Sequence, residues 1–332
     1  MSAAASGASE RVIGVDLGGT TFTVGLFDQA GCKVADGEYG TPRSGDDPCA
    51  VLEALKAAAE QVRDAAGVAP AAVRAIGIGI PGPVEPETGT VFMCPNLHVL
   101  DGVAVGPLLG RMVGVPCHIG NDAYCATLAE LRYGAGRDVR NMVMLTLGTG
   151  IGGGVALDDQ VVRGPRRILG EIGHVIVDPQ GPKCGCGSFG CVEALAGKQG
   201  IIDDALRRLQ AGQPSRLAAV PPTELDPRCI AEAAEEGDEL ALAVLERTGN
   251  LIGIALCSAI VLTDPDLIVL GGGIAAAGHL LLGPVRRTVA ARCRIGQGFD
   301  VSHIVPAALG NEAGVCGAAA LAWERSGGIC AR

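Results

Sequence analysis

Short apolar runs of β type, each closed by glycines, alternate along this chain with longer stretches of helical character. The first, Val12-Ile13-Gly14-Val15-Asp16-Leu17, stops at Gly18-Gly19-Thr20 and resumes as Thr21-Phe22-Thr23-Val24-Gly25-Leu26-Phe27-Asp28. Both flanks read as strands, so the glycines predict a hairpin turn whose backbone N–H groups can face an anion. The second, Met142-Val143-Met144-Leu145-Thr146-Leu147, meets Gly148-Thr149-Gly150-Ile151-Gly152-Gly153-Gly154 and continues as Val155-Ala156-Leu157, again strand, glycines, strand. The recurrence predicts two related domains that each offer one glycine turn to the same phosphate chain. The third, Asp266-Leu267-Ile268-Val269-Leu270, runs through Gly271-Gly272-Gly273-Ile274 into an Ala-rich helical stretch, a place for the base and ribose of a nucleotide. Helical stretches over residues 48–66, 123–132 and 238–262 separate the strands, and 312–325 reads as a terminal helix. The alternation is that of an α/β protein.

Length and composition narrow this picture. A chain of 332 residues exceeds what one hydrophobic core usually organises, so two unequal domains are expected, with the cleft between them as the natural site. With 48% hydrophobic and 19% charged residues the chain is globular. A formal net charge of -10, no run of Lys and Arg, and only 3% aromatics argue against nucleic acid and for small ligands. Residues 1–10 carry neither a basic start nor an apolar stretch and read as a disordered tail. The longest apolar run, Leu251 to Leu262, stops at Thr263-Asp264 and reads as a buried helix, so no membrane span is expected. Thirteen cysteines, an odd and scattered set, suit a reducing compartment, the cytoplasm, better than a disulfide scaffold.

Two glycine patterns invite a false reading. Gly148, Gly150 and Gly153 satisfy G-x-G-x-x-G, as do Gly77, Gly79 and Gly82. A dinucleotide motif must open a helix, whereas the first is followed by a strand and the second contains Pro81 and is followed by Pro83. No G-x-x-x-x-G-K-[ST] loop occurs.

The most specific signal is Gly173-His174 followed by Cys184-Gly185-Cys186-Gly187-Ser188-Phe189-Gly190-Cys191-Val192-Glu193. Three thiols and an imidazole fill a tetrahedral Zn²⁺ shell, which makes His174, Cys184, Cys186 and Cys191 a structural zinc set. The metal would fix the neighbouring Glu171 and Glu193. Asp122 follows Gly120-Asn121 and precedes the helix over 123–132, a position suited equally to a helix N-cap and to an active-site carboxylate. Phosphoryl transfer to an alcohol needs a carboxylate to take the hydroxyl proton and positive charge to offset that on the phosphoryl oxygens. Asp122 can supply the first, and Mg²⁺ held through water by Asp16 the second.

These residues resemble the ROK family (repressor, open reading frame, kinase), and within it the bacterial glucokinases, from Val12 to about Trp323. The matching pieces are VIGVDLGGT, GIGIPGPV, CPNL, GNDAYCATLAE, LTLGTGIGGG, GEIGH, CGCGSFGCVE, DLIVLGGGI and LGNEAGVCGAAALA. The resemblance implies a two-domain actin-like ATPase fold, ribonuclease H-like, with an interdomain cleft. It also implies ATP with Mg²⁺, a structural Zn²⁺, and a hexose phosphorylated on its primary hydroxyl. On this layout residues 11–120 form the smaller α/β domain, joined by the C-terminal helix 312–328, and 121–311 the larger one with its zinc loop over 174–193.

Carried over by position, Asp122 resembles the catalytic base, and Asn96, Asn121, Glu171, His174 and Glu193 the sugar ligands, with backbone near Gly82 assisting. Gly18, Gly19, Thr20, Gly148, Thr149 and Gly150 match the phosphate turns, and Gly272 and Gly273 the adenosine loop. Two departures are visible. His98-Val99-Leu100-Asp101 lacks the tryptophan that glucokinases often carry after Cys-Pro-Asn-Leu, and Arg166-Arg167 stands where small residues are usual. The same signature serves kinases for mannose, fructose, allose and N-acetylhexosamines. A sugar-responsive repressor would need a helix-turn-helix before the first strand, for which residues 1–10 leave no room. Polyphosphate is the rival donor. The family resemblance also brings the expectation of a homodimer or higher homo-oligomer.

Overall fold

A computed structural model describes residues 10–42, 47–295 and 298–328. The tail expected over residues 1–10 therefore lies outside the described residues except for Glu10, whose carboxylate pairs with Arg74 Nη1 at 2.6 Å. The chain divides into two compact units, one made of the residues up to Arg137 and those from Asn311 onward, the other of Asp138–Gly310.

In the first unit β1 (Arg11–Leu17), β2 (Thr21–Phe27) and β3 (Lys33–Gly40) form an antiparallel meander. After it come β4 (Val73–Ile80), the small hairpin β5 (Val84–Glu85) and β6 (Thr90–Val91), and β7 (Cys117–Asn121). Parallel pairing of β1 with β4 and of β4 with β7 completes a sheet in the order β3-β2-β1-β4-β7. Helix α1 (Pro48–Ala65) starts where the Asp47 side chain accepts the Cys49 N–H at 2.8 Å and Pro48 presets the first turn. Its buried stripe, Val51, Leu52, Leu55, Ala58, Ala59 and Val62, has helical spacing and packs into the unit's core. Helix α2 (Val105–Val113) ends on Gly114 at φ +77, a backbone state that only glycine adopts cheaply, and α3 (Asp122–Tyr133) follows β7 directly.

The second unit repeats this sheet plan. Strands β8 (Met142–Leu147), β9 (Ile151–Leu157) and β10 (Gln160–Val162) form the antiparallel part. After the helices α4 (Val192–Ala196), α5 (Lys198–Gln210), α6 (Pro227–Glu235) and α7 (Glu239–Thr263), β11 (Leu267–Gly271) joins β8 in parallel. Helix α8 (His279–Arg292) leads to β12 (Ile304–Pro306), and the order β10-β9-β8-β11-β12 mirrors that of the first sheet. The recurrence seen in the glycine pattern is thus a recurrence of topology.

Helix α7 has the length and hydropathy to cross a bilayer, but its buried residues, Leu240 to Ile260, belong to the core of the second unit. The sequence reading of Leu251 to Leu262 as a buried helix fails at its last turn. Val261 is 58% and Leu262 81% exposed, because the core-facing stripe has rotated away by that point.

Helix α9 (Ala313–Arg325) returns the chain to the first unit, and small residues let it lie close against the sheet. A Cβ on Gly14 of β1 would come within 2.8 Å of the Ala319 nitrogen, and one on Gly77 of β4 within 3.1 Å of the Ala322 nitrogen. Gly317 lies against the Cys125 backbone of α3 in the same manner. Leu321 and Trp323 are fully buried, each worth about 1.5–3 kcal/mol in removed apolar surface. The Trp323 indole donates to the Asp28 carbonyl at 3.1 Å, and Arg132 of α3 pairs with Glu324 at 2.8 Å. This packing of α3 on α9 carries the first unit past residue 120, the boundary expected from the sequence, to Arg137.

Candidate functional site

The residues singled out in the first unit gather at the carboxyl ends of the parallel strands β1, β4 and β7, the end at which open α/β sheets hold their ligands. Asp16 is the penultimate residue of β1 and Asp122 the first of α3 after β7. Asn121, not Asp122, caps that helix, its side-chain oxygen accepting the Tyr124 N–H at 3.2 Å. The Asn121 amide nitrogen donates to the Gly82 carbonyl at 3.1 Å, so this side chain fastens the turn after β4 to the start of α3. Asp122 is thereby free of capping duty, and one oxygen accepts the neighbouring Ala123 N–H at 2.8 Å.

Burial pushes the Asp122 carboxyl above its ordinary range, against the opposing pull of the Ala123 N–H. Asp16 rises to about 6, through burial first and the nearby charge of Asp122 second. Gly314, in the first turn of α9, leaves the space that the Asp16 carboxyl fills.

The first glycine turn is closed by the Gly18 N–H on the Thr21 carbonyl at 3.0 Å and held from outside by the Thr41 hydroxyl, which donates to the Gly18 carbonyl at 2.8 Å. Gly19 lies against Asn96, with only 2.5 Å between a built Cβ and the Asn96 Cβ. Asn96 belongs to the loop that starts at Cys94, and Asp101 ties that loop shut. One Asp101 oxygen accepts the Cys94 N–H at 2.7 Å and the other meets His98 Nδ1 at 3.0 Å. These two contacts, the Cys94 N–H first, hold the Asp101 carboxyl below its usual range. Neither Thr41 nor Asp101 was singled out from the sequence; the His98-x-x-Asp101 spacing was the available signal for the second.

In the second unit the turn between β8 and β9 consists of Gly148, Thr149 and Gly150, closed by the Gly148 N–H on the Gly150 carbonyl at 2.9 Å. Gly272, at φ +86, presses on the backbone of Leu147 just before that turn, so the third glycine run is its neighbour. The run opens a short 3₁₀ turn over Gly273–Ala277 before α8 begins. Glu171, exposed, and His174 flank another 3₁₀ turn, Ile172–His174, whose Gly173 sits flat on the Ile151 carbonyl.

His174, Cys184, Cys186 and Cys191 converge, with ligand atoms all within 4.8 Å of one another. Cys186 and Cys191 sulfurs are 3.7 Å apart and Cys184 Sγ is 3.6 Å from His174 Nδ1. A tetrahedral Zn²⁺ with Zn–S bonds of about 2.3 Å has sulfurs about 3.8 Å apart, so the four groups fit such an ion. Burial pushes the Cys184 and Cys191 thiols up, while the Ser188 N–H pulls Cys186 down. A cation among them would be needed for all three to ionise. Glu193, two residues after Cys191, accepts the Ile151 N–H at 2.9 Å with one oxygen and lies 3.6 Å from Cys184 Sγ with the other.

Comparison with known proteins adds an independent line. The ROK family model matches residues 12–325. A glucokinase of Thermotoga maritima is 34% identical, covering 96% of this chain and 99% of its own. The crystal structure of a ROK family glucokinase from Streptomyces griseus, in complex with glucose and AMPPNP, superposes with a TM-score of 0.78 at 31% identity, over 95% of this chain and 99% of that one. An N-acetylglucosamine repressor of Escherichia coli is 33% identical over 82% of this chain and 66% of its own.

Proposed function

The chain belongs to the ROK family, and from that premise we propose that it is an ATP-dependent hexose kinase, with D-glucose and ATP as substrates and glucose 6-phosphate and ADP as products. The observation that carries this reading is the pair Asp16 and Asp122 at the ligand-binding ends of β1 and β7, with Asn121 taking the capping role that would otherwise occupy Asp122. A carboxyl raised by burial and held at a helix start is suited to accept the proton of a sugar hydroxyl as its oxygen attacks phosphorus.

In this reading Asp122 is the general base. Asn96, Glu171, His174 and Glu193 receive the other sugar hydroxyls, and Asn121 contributes mainly by fastening Gly82. Gly18, Gly19, Thr20, Gly148, Thr149 and Gly150 face the phosphates, and Gly272 and Gly273 the adenosine. Mg²⁺ offsets phosphate charge when bound, and Asp16 is the carboxylate placed to hold it through water. Zn²⁺ on His174, Cys184, Cys186 and Cys191 is structural, since four protein ligands leave no open position. With the thiols of the described residues free the enzyme suits a reducing cytoplasm, and it is expected to act as a homo-oligomer.

The likeness to a repressor favours one second reading, a sugar sensor without turnover. A panel of glucose, mannose, fructose, allose and N-acetylhexosamines with ATP, followed by ADP release, separates the two. Turnover that is greatest with glucose is the expected result. Sugar binding without ADP release for any member of the panel supports the sensor.

A further inference from the structure

The segment that carries the metal ligands does more than surround its own ion, because it touches both polar groups of one backbone residue, Ile151, the first after the Gly148-Thr149-Gly150 turn. Glu193 Oε2 accepts the Ile151 N–H at 2.9 Å, and Gly173 lies so close to the Ile151 carbonyl that a side chain there would collide with it. Both contacts are anchored on metal ligands. Gly173 precedes His174, and Cys191 is the residue at which α4 begins, so its position sets where Glu193 in the first turn of α4 points. The two ligand segments are tied to each other by the Val192 N–H on the Val175 carbonyl at 2.9 Å and by the bridge between Ile176 and Cys191. Around the turn the packing leaves no slack. A Cβ on Gly150 would lie 2.5 Å from Glu193 Oε2, and the Lys198 N–H at the start of α5 donates to the Gly148 carbonyl at 3.1 Å.

We propose that Glu193 is a positioning residue that transmits occupancy of the metal cluster to the second glycine turn, so that nucleotide affinity depends on the metal even when no sugar is bound. The inference rests on the reading that this turn receives phosphates. Without the ion, Cys191 and His174 are no longer held together, α4 is released at its first turn, and the charge-assisted bond that fixes the Ile151 N–H is lost. The turn N–H groups then have to be ordered by the nucleotide itself, at a cost in affinity.

The test is calorimetric titration of AMPPNP with Mg²⁺ into sugar-free protein, with metal content by elemental analysis and hydrogen exchange at the Ile151 amide as parallel readouts. Four samples are compared: the unaltered chain, the same chain after chelation, Glu193→Ala and Glu193→Gln. Chelation and Glu193→Ala are each expected to weaken AMPPNP about tenfold and to speed Ile151 exchange, Glu193→Ala while keeping its metal. Glu193→Gln, whose amide oxygen still accepts the Ile151 N–H, is expected to stay within about threefold of the unaltered chain, a rescue that loss of negative charge alone does not explain. Unchanged AMPPNP affinity after chelation or in a metal-bearing Glu193→Ala overturns the coupling and leaves the kinase reading standing. If the unaltered chain binds no AMPPNP at all, the kinase reading falls and the coupling with it. Should Glu193→Ala not fold, chelation and Glu193→Gln decide the matter by the same thresholds.

Discussion

Asp16 and Asp122 illustrate how enclosing two neighbouring carboxyls costs stability. Burial raises the Asp16 carboxyl from its ordinary 3.8, the value expected of the unfolded chain, to about 6 in the folded one, so folding favours its neutral form. The stability this contributes is full below about pH 3.8 and is lost as pH rises through about 6, a swing of roughly 3 kcal/mol. Asp122 moves in the same direction. Replacing Asp122 by Asn removes one enclosed charge and the repulsion it exerts on Asp16. We therefore expect D122N to lose about 10²–10⁴-fold in turnover. At pH 8, without nucleotide or Mg²⁺, it should melt ~2–6 °C higher than the unaltered chain. The stability gap should narrow as pH falls toward 4, because both carboxyls gain protons in the folded chain. Melting curves at the two pH values check this, and an Asn variant less stable at pH 8 refutes it. Asp101 ties together the loop that carries Asn96. Asp101→Ala frees the Cys94 N–H and the loop that brings Asn96 to the first glycine turn, so the KM for sugar is expected to rise about tenfold with kcat changed less than about threefold. Steady-state kinetics provides the check.

At the scale of elements, the two glycine turns and the cysteine cluster were readable because each rests on local spacing: strand, glycine, strand, or four ligands within a short stretch. The division of labour between Asn121 and Asp122 was not, since adjacent residues share every sequence context, and only the geometry of α3 shows that Asn121 caps it. Packing of α9 was equally hidden. Its sequence, AGVCGAAALAWER, is apolar on nearly every side, so no periodicity says which face meets the sheet and which meets α3. The glycines decide it. Ala in place of Gly317 would favour an isolated helix by about 1 kcal/mol, but here its Cβ lands on the Cys125 carbonyl of α3, a backbone group that cannot rotate aside. Overpacking of this kind costs about 1–3 kcal/mol and wins over propensity. Gly317→Ala is therefore expected to lower the melting temperature by about 3–6 °C, and an unchanged or raised value shows that α3 and α9 can part at little cost.

For the whole molecule, the first compact unit takes in α3, beyond the strand end at residue 120, together with the C-terminal helix that the sequence reading also joins to it, nearly two hundred residues later in the chain. Its sheet has α9 across β1, β2, β4 and β7, with Trp323 and Leu321 among the fully enclosed side chains. Residues 1–137 alone would leave Gly14, Gly77 and the inner face of α3 uncovered, exposing an apolar surface that the remaining helices cannot reach. The second unit is continuous from Asp138 to Gly310 and contains its own core, its own sheet and the His174, Cys184, Cys186 and Cys191 cluster that could hold a metal. Residues 138–310 expressed alone are thus expected to unfold cooperatively and to retain one equivalent of zinc. Residues 1–137 should fail to give a cooperative melt until α9 is restored, for instance by fusing residues 311–328 through a flexible linker. Circular dichroism melts of the three chains test the claim, and a cooperative transition in residues 1–137 alone would mean that α9 is an accessory to that unit and not part of its core.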